Sequence, residues 1–121
     1  MVIFDTNAIL RFILQDNQVM ADEVEQQMFD GVCLIPVEVV AEIVYVLSKV
    51  YGLKRDVIAQ TIADLADLDN IKIVQKPVVL HALHVYASTT LDFVDCLLVG
   101  HAKEDGHTIL TFDKKLQKYL N

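Results

Sequence analysis

The sequence predicts an α/β fold of three layers, in which helices cover a central parallel sheet of four or five short strands. Short apolar runs alternate with longer segments of helical spacing, which is the pattern of consecutive βαβ units. A hydrophobic fraction of 54%, with only four Gly and two Pro, favours helices and tight connections over a loop-rich design. The 121 residues contain no linker or repeat, so we predict one domain over residues 1–121.

The first half of the chain predicts two strands and three helices. Asp5-Thr6-Asn7 offers caps for the first helix, and Asp30-Gly31 is a typical end for the second. Pro36 suits the first turn of the third helix. The strands are predicted at residues 2–4 and 32–35, and the helices at about 8–14, 18–29 and 36–50.

The second half predicts two more strands and four more helices. Val57, Ile58, Ile62 and Leu65 recur at helical spacing, and Pro77 suits the opening of the next helix. All four apolar strands are expected to be buried in a parallel sheet, with ligands binding beyond their carboxyl ends. The strands are predicted at residues 71–74 and 108–111, and the helices at about 54–68, 77–87, 93–104 and from 113 onwards.

The charge balance constrains both partners and location. With 17 acidic and 10 basic residues, the net charge of −7 disfavours nonspecific nucleic-acid binding unless metal or a basic partner neutralises a concentrated group of acids. No apolar run reaches the roughly 18 residues that span a membrane, and the start of the chain lacks the basic residues of a signal peptide. Cys33 and Cys96 lie in apolar stretches and are expected as buried free thiols. We therefore expect a cytoplasmic protein with no membrane association.

Four aspartates occur where helices are predicted to begin. Asp5 follows the first strand and Asp113 follows the last, so each suits the N-cap of the next helix. Asp92 and Asp95 are three residues apart at the start of another helix, in the spacing of a capping box. Taken singly, each of these acids has this structural interpretation.

Glu42 lies in a strongly apolar helical segment, residues 39–47, and the nearest basic residue on that helix is Lys49. A buried carboxylate needs a partner, because burying it alone is costly. Two interpretations stay open: Glu42 shares a bound cation with other acids, or the helix turns it to solvent. Glu38, one turn earlier, is a weaker candidate of the same kind.

Together these acids predict a metal site. Asp5 and Asp113 are expected at one edge of the sheet, because the carboxyl ends of parallel strands share an edge. If Asp92, Asp95 and Glu42 converge with them, mutual repulsion favours a bound cation, and Mg²⁺ or Mn²⁺ accepts such oxygen ligands. Such a site activates water and neutralises phosphodiester charge, so the predicted chemistry is phosphodiester hydrolysis.

Four motifs extend this pattern over almost the whole chain. They are Val2-Ile3-Phe4-Asp5-Thr6-Asn7, Ile35-Pro36-Val37 leading to Glu42, Leu91-Asp92-Phe93-Val94-Asp95-Cys96-Leu97, and Ile109-Leu110-Thr111-Phe112-Asp113-Lys114. With these motifs in this order, the chain resembles the PIN-domain family, and in size and motifs it resembles a VapC-type toxin ribonuclease of a bacterial toxin–antitoxin pair. Cys96 departs mildly from the small polar residue or Ala that is usual there.

The resemblance implies a PIN-like α/β/α fold and assigns roles to named residues. Its catalytic acidic quartet falls on Asp5, Glu42, Asp95 and Asp113, which with Asp92 as an auxiliary ligand would hold Mg²⁺ or Mn²⁺. Its auxiliary polar positions fall on Thr6, Asn7 and Thr111. The implied reaction is endonucleolytic hydrolysis of single-stranded or looped RNA, leaving 5′-phosphate and 3′-hydroxyl ends. Apart from the resemblance, Lys114 and Lys115 directly follow Asp113, so one of them, with Lys114 as the named candidate, is expected to contact RNA phosphate.

The resemblance also implies two protein partners. One is a cognate antitoxin whose basic inhibitory segment covers the active site. The other is a second copy of the chain, and the apolar positions of the helices over residues 18–29 and 54–68 also favour a homodimer.

Two other functions fit parts of the sequence. An aspartyl-phosphate phosphatase would use Asp5, but it needs a second acid two residues on, where this chain has Asn7. A non-catalytic PIN-like module would bind RNA or a partner, although it has no need to retain all four acids. The four histidines lack zinc-site spacing. Arg55 and most lysines are expected on solvated faces, and Arg11 is a candidate partner for a site carboxylate or phosphate.

Overall fold

The computed structural model describes residues 1–120; Asn121, the last residue of the predicted domain, lies outside the described residues. Within residues 1–120 the chain forms three strands and seven helices. The strands are β1 (Val2–Ile3), β2 (Cys33–Ile35) and β3 (Ile71–Ile73). The helices are α1 (Thr6–Leu14), α2 (Gln18–Asp30), α3 (Val37–Lys49), α4 (Arg55–Ala66), α5 (Lys76–Ser88), α6 (Phe93–Asp105) and α7 (Lys114–Gln117).

The strands form one parallel sheet in the order β1-β2-β3, which confirms the predicted parallel arrangement. Val2 pairs with Cys33, and Cys33 pairs in turn with Ile71. Cys33 and Ile35 are fully buried, because β2 lies between the other two strands. Cys33 and Cys96 are buried free thiols, as predicted, and burial raises the pKa of the Cys33 thiol to about 12 and that of the Cys96 thiol to about 11.

The predicted fourth strand over residues 108–111 is wrong, since the described part of the chain has no strand there. Local bonds hold this segment to α7 instead. The Thr111 hydroxyl accepts the Asp113 N–H at 3.0 Å, and the Thr111 carbonyl accepts the Gln117 side-chain amide at 2.8 Å. A side chain that bonds nearby backbone competes with a sheet ladder. Leu110, expected in the sheet, is 86% exposed.

Burial of the sheet on both faces is confirmed only at its centre. Val2 and Ile3 of β1 are exposed, because β1 is an edge strand. In β3 the exposed side chain of Lys72 lies between the buried Ile71 and Ile73. The prediction of continuous apolar burial fails at both edges, because a three-stranded sheet has only one interior strand.

The predicted helices are confirmed, with ends that shift by up to two residues. Helix α1 packs on α2 and α3, and α5 packs on α4 and α6. Helices α5 and α6 approach closely at Gly100, where an added Cβ would lie 2.7 Å from the carbonyl oxygen of Val78. Among residues 1–120, no helix combines the length and apolar character needed to cross a membrane.

Candidate active site

Asp5 connects β1 to α1 and caps the helix. Its backbone is extended, and its Oδ1 accepts the Ala8 N–H at 2.9 Å. The N-cap interpretation of Asp5 is therefore confirmed as a structural role. The side chain is exposed and lines a cavity of about 440 Å³ together with Asn7 and Arg11. Thr6, the other predicted polar residue here, is buried at the first position of α1.

Asp113 plays the same part at α7. Its Oδ1 accepts the Leu116 N–H at 3.1 Å, and its own N–H donates to the Thr111 hydroxyl. Thr111 thus fixes the backbone that carries Asp113. Lys114, the candidate RNA contact, is exposed in the first turn of α7.

Asp92 and Asp95 begin α6 without forming the capping box that their spacing imitates. Asp92 occupies the N-cap position, but its side chain makes no capping hydrogen bond. Asp95 lies in the first turn and is half-buried. Neither carboxylate is therefore needed as an N-cap acceptor, unlike those of Asp5 and Asp113.

The charges of Asp92 and Asp113 act on the carboxyl group of Asp95. Burial raises the pKa of the Asp95 carboxyl, and the negative charges of Asp113 and Asp92 raise it further. The ammonium group of Lys115 acts in the opposite direction on this pKa. Lys115 also donates to the Thr90 carbonyl at 3.1 Å, so it ties α7 to the turn before α6. The starts of α6 and α7 thus carry an acidic group, Asp92, Asp95 and Asp113, whose charges act on one another and are opposed at Asp95 by Lys115.

The charges that act on the Asp95 carboxyl do not include those of Glu42 and Asp5. Glu42 is exposed on α3, whose buried positions are Val40, Ile43, Val44 and Leu47. Of its two interpretations, the structure shows the one in which the helix turns it to solvent. Within residues 1–120, no three His, Cys, Asp or Glu side chains are placed to hold a metal ion. The convergence of all the predicted acids into one ligand set is therefore not observed.

The chemistry of Asp92, Asp95 and Asp113 nevertheless suits a hard divalent cation. Carboxylate oxygens are the preferred ligands of Mg²⁺, and a cation would relieve the repulsion that adds to burial in raising the pKa of Asp95. These three residues fit such an ion in donor type and charge. A metal would have to draw them closer together to make a complete ligand set.

Two basic residues depart from their predicted environments. Arg11 forms an ion pair with Asp16 at 2.9 Å, and with neither a site carboxylate nor another predicted acid. Arg55 was expected on a solvated face, but it is half-buried with its guanidinium 3.7 Å above the Tyr86 ring. Arg55 and Tyr86 also line a cavity of about 390 Å³ together with Asp92. No local pattern in the sequence marks Arg55, because its contacts are distant along the chain.

Comparisons with known proteins show the family of the chain. The PIN domain family matches residues 2–120. A VapC ribonuclease of Aquifex aeolicus (strain VF5) is 25% identical over 125 residues, which cover 98% of this chain and 91% of that protein. No solved structure gives a significant match. The family match spans every strand and helix described above, and the chain therefore belongs to the PIN domain family.

Proposed function

We propose that this protein is a metal-dependent endoribonuclease that hydrolyses RNA phosphodiester bonds and acts as the toxin of a toxin–antitoxin pair. One observation carries the proposal: in a PIN-domain chain the Asp95 carboxyl is half-buried at the start of α6, and its pKa is raised by burial and by the negative charges of Asp113 and Asp92. The similarity to a VapC ribonuclease supports the assignment of RNA as substrate.

The proposed roles combine the acidic quartet of the PIN family with the environment of each side chain. Asp95 and Asp113 hold Mg²⁺ or Mn²⁺ with Asp92 as an auxiliary ligand, and Asp5 and Glu42 complete the catalytic set. A bound ion supplies Lewis acidity at the phosphate and lowers the pKa of water. Thr111 orients Asp113 through the backbone N–H. The auxiliary polar residues Thr6 and Asn7 directly follow Asp5.

RNA binding relies on the basic residues next to the acids. Lys114 is exposed directly after Asp113, whereas Lys115 is engaged by the Thr90 carbonyl. Lys114 is therefore the better candidate for an RNA phosphate contact. Because phosphate contacts fix position without reading sequence, Lys114 would contribute affinity more than base preference.

The partners are an antitoxin and a second copy of this chain. An Arg or Lys of a basic antitoxin segment would pair with the Asp92–Asp95–Asp113 group and block the phosphate site.

For the homodimer, Phe29 of α2 is 81% exposed and shares a cavity of about 270 Å³ with Leu68, just beyond α4. We expect light scattering to give a dimer mass, and Phe29→Asp to shift it to that of the monomer.

An RNA cleavage assay with metal, chelator and matched variants tests the function. The purified chain should cleave RNA in the presence of Mg²⁺ or Mn²⁺, and cleavage should stop in excess chelator. Asp95→Asn should reduce cleavage to the chelated background. Asp67→Asn, at an exposed acid at the end of α4, should cleave like the wild type. Full cleavage in chelator, or by Asp95→Asn, would contradict the proposal.

A second candidate function is a non-catalytic PIN-like module that binds RNA or a partner. The position of Glu42, which is exposed on α3 and outside any ready ligand set, favours it. The same assay separates the two functions, because such a module would bind RNA without cleaving it under any metal condition.

A further inference from the structure

The turn between α5 and α6, residues 89–92, contains Asp92 and leads directly into the first turn of α6, which contains Asp95. We propose that Arg55 is the positioning residue of this turn: its guanidinium, reaching from α4, fixes the backbone on which Asp92 and Asp95 are mounted. The inference rests on the proposed function, since it assigns Arg55 a part in the same site. In this proposal Arg55 contacts neither the RNA phosphate nor the metal.

The guanidinium of Arg55 joins two separate elements. Its Nε–H donates to the carbonyl of Tyr86 at 2.8 Å, and its Nη2 donates to the carbonyl of Leu91. Tyr86 lies in the last turn of α5, where helix carbonyls lack partners within the helix. Leu91 immediately precedes Asp92. One side chain therefore sets the distance between the end of α5 and the start of α6.

Aromatic packing holds the guanidinium in place. Its Cζ lies 3.7 Å from the centroid of the Tyr86 ring, within the range of a cation–π contact. The Phe93 ring meets Tyr86 edge-on, at 5.8 Å and 80°. Phe93 is the first residue of α6. Tyr86 therefore contacts both the Arg55 guanidinium and the start of the helix that contains Asp95.

Other side chains complete the support of this turn. The Thr89 hydroxyl donates to the Val85 carbonyl at 2.8 Å and accepts the Leu91 N–H at 3.3 Å. The Cys96 thiol donates to the Leu91 carbonyl at 3.8 Å. The Leu91 carbonyl therefore accepts from Arg55 and also from Cys96 in α6, so it connects α4 to the start of α6.

The geometry requires arginine rather than any cation. A guanidinium presents several N–H groups in a rigid plane and can serve two carbonyls while stacking on a ring, whereas an ammonium group is a point donor. Lys54 provides the comparison, since it precedes Arg55 and is exposed with no capping hydrogen bond. Lys54→Met therefore removes the same charge from the same place without disturbing the turn.

The experiment compares wild type, Arg55→Met, Arg55→Lys and Lys54→Met. We expect Arg55→Met to weaken Mn²⁺ binding, measured by calorimetry, by about tenfold or more, the loss typical when a group supporting a metal ligand is removed. At a fixed, subsaturating Mn²⁺ concentration, kcat/KM for RNA cleavage should fall by a similar factor. Arg55→Lys should fall between, and Lys54→Met should match the wild type. If Arg55→Met does not fold, Arg55→Lys carries the comparison.

Amide hydrogen exchange over residues 89–96 provides a readout that does not depend on catalysis. Exchange at the Leu91 and Cys96 amides should accelerate in both Arg55 variants, while exchange in α2 should not change. Unchanged protection of the turn, or wild-type Mn²⁺ affinity and kcat/KM in a folded Arg55 variant, would overturn the inference. A wild-type chain that neither binds Mn²⁺ nor cleaves RNA would instead refute the proposed function, and exchange alone would then decide whether Arg55 holds the turn.

Discussion

Single residues of the candidate site differ in how their carboxylates are used. Asp5 and Asp113 each give one oxygen to a backbone N–H at the start of a helix. The side chain of Asp92 makes no such bond, and the pKa of Asp95 is raised by burial and by its acidic neighbours. Capping acids therefore stabilise the fold, whereas Asp95 carries a charge that the metal-free fold disfavours.

Asp95→Asn should stabilise the metal-free protein at neutral pH. The folded state raises the pKa of Asp95, so it holds this proton more tightly than the unfolded chain does. The stability contributed by Asp95 is therefore lost as pH rises through the folded pKa. Denaturant unfolding in chelator should show the gain at neutral pH, and the gain should vanish below the ordinary pKa of 3.8, where wild-type Asp95 is protonated too. Equal stability of the two proteins at neutral pH would contradict this, and Asp67→Asn serves as control.

Asp5 allows capping and chemistry to be separated. Asn is a good N-cap residue, so Asp5→Asn should keep the stability of α1 yet lose RNA cleavage. Asp5→Ala should lose cleavage and about 1 kcal/mol of unfolding free energy as well. Thermal melts and cleavage assays on both variants make the comparison. Retained cleavage in Asp5→Asn would mean that Asp5 is only a cap.

At the scale of elements, the close contact between α5 and α6 depends on a glycine, Gly100, which has no Cβ. Gly100→Ala would place a Cβ 2.7 Å from the carbonyl oxygen of Val78, and the rigid backbone there cannot retreat. We expect a loss of about 1–3 kcal/mol in unfolding free energy, as for other overpacked cores. Gly31→Ala is the matched control, because nothing lies within 4 Å of its added Cβ and its φ of −166° suits any residue. Equal effects of the two substitutions would rule out the close approach as the cause.

Helices were more predictable than strands because their signals are local. Pro77 and Gly106 mark the start of α5 and the end of α6 within a residue or two of the observed bounds. The segment 108–111 carries an equally apolar pattern, but the bonds of Thr111 to Asp113 and Gln117 hold it outside the sheet. Pairing of a strand depends on competing partners, and an apolar pattern does not report them.

The candidate site was predictable where acids coincide with helix starts, and unpredictable where distant packing decides. Asp92, Asp95 and Asp113 were predicted to share a site; in the structure the charges of Asp113 and Asp92 add to burial in raising the pKa of Asp95, but among residues 1–120 no three such side chains are placed to hold a metal ion. Exposure of Glu42 depends on which face of α3 is buried, and the sequence left that open. Arg55 contacts carbonyls 31 and 36 residues away, so neighbouring residues carry no sign of its role.

For the whole molecule, the net charge of −7 should make RNA binding depend on divalent metal. Without metal, the acidic group at Asp95 repels phosphate, and Lys114 offers little compensation. We expect RNA affinity to rise when Mg²⁺ or Mn²⁺ is added, and Asp95→Asn to weaken binding of an Arg-rich peptide. Titrations of labelled RNA and peptide at constant ionic strength measure both effects. Tight RNA binding in chelator at physiological salt would contradict this prediction.

The capping bonds of Asp5 and Asp113 also restrict how this chain can diverge over generations. Replacements that remove either acid at the least cost to its helix are residues that cap well, such as Asn, Ser and Thr. Position 92, where no capping bond must be kept, tolerates a wider range. A descendant that abandons nuclease activity for binding would thus still carry small polar residues at positions 5 and 113. Such a lineage would resemble an active enzyme at its helix starts and reveal its altered role first at position 92.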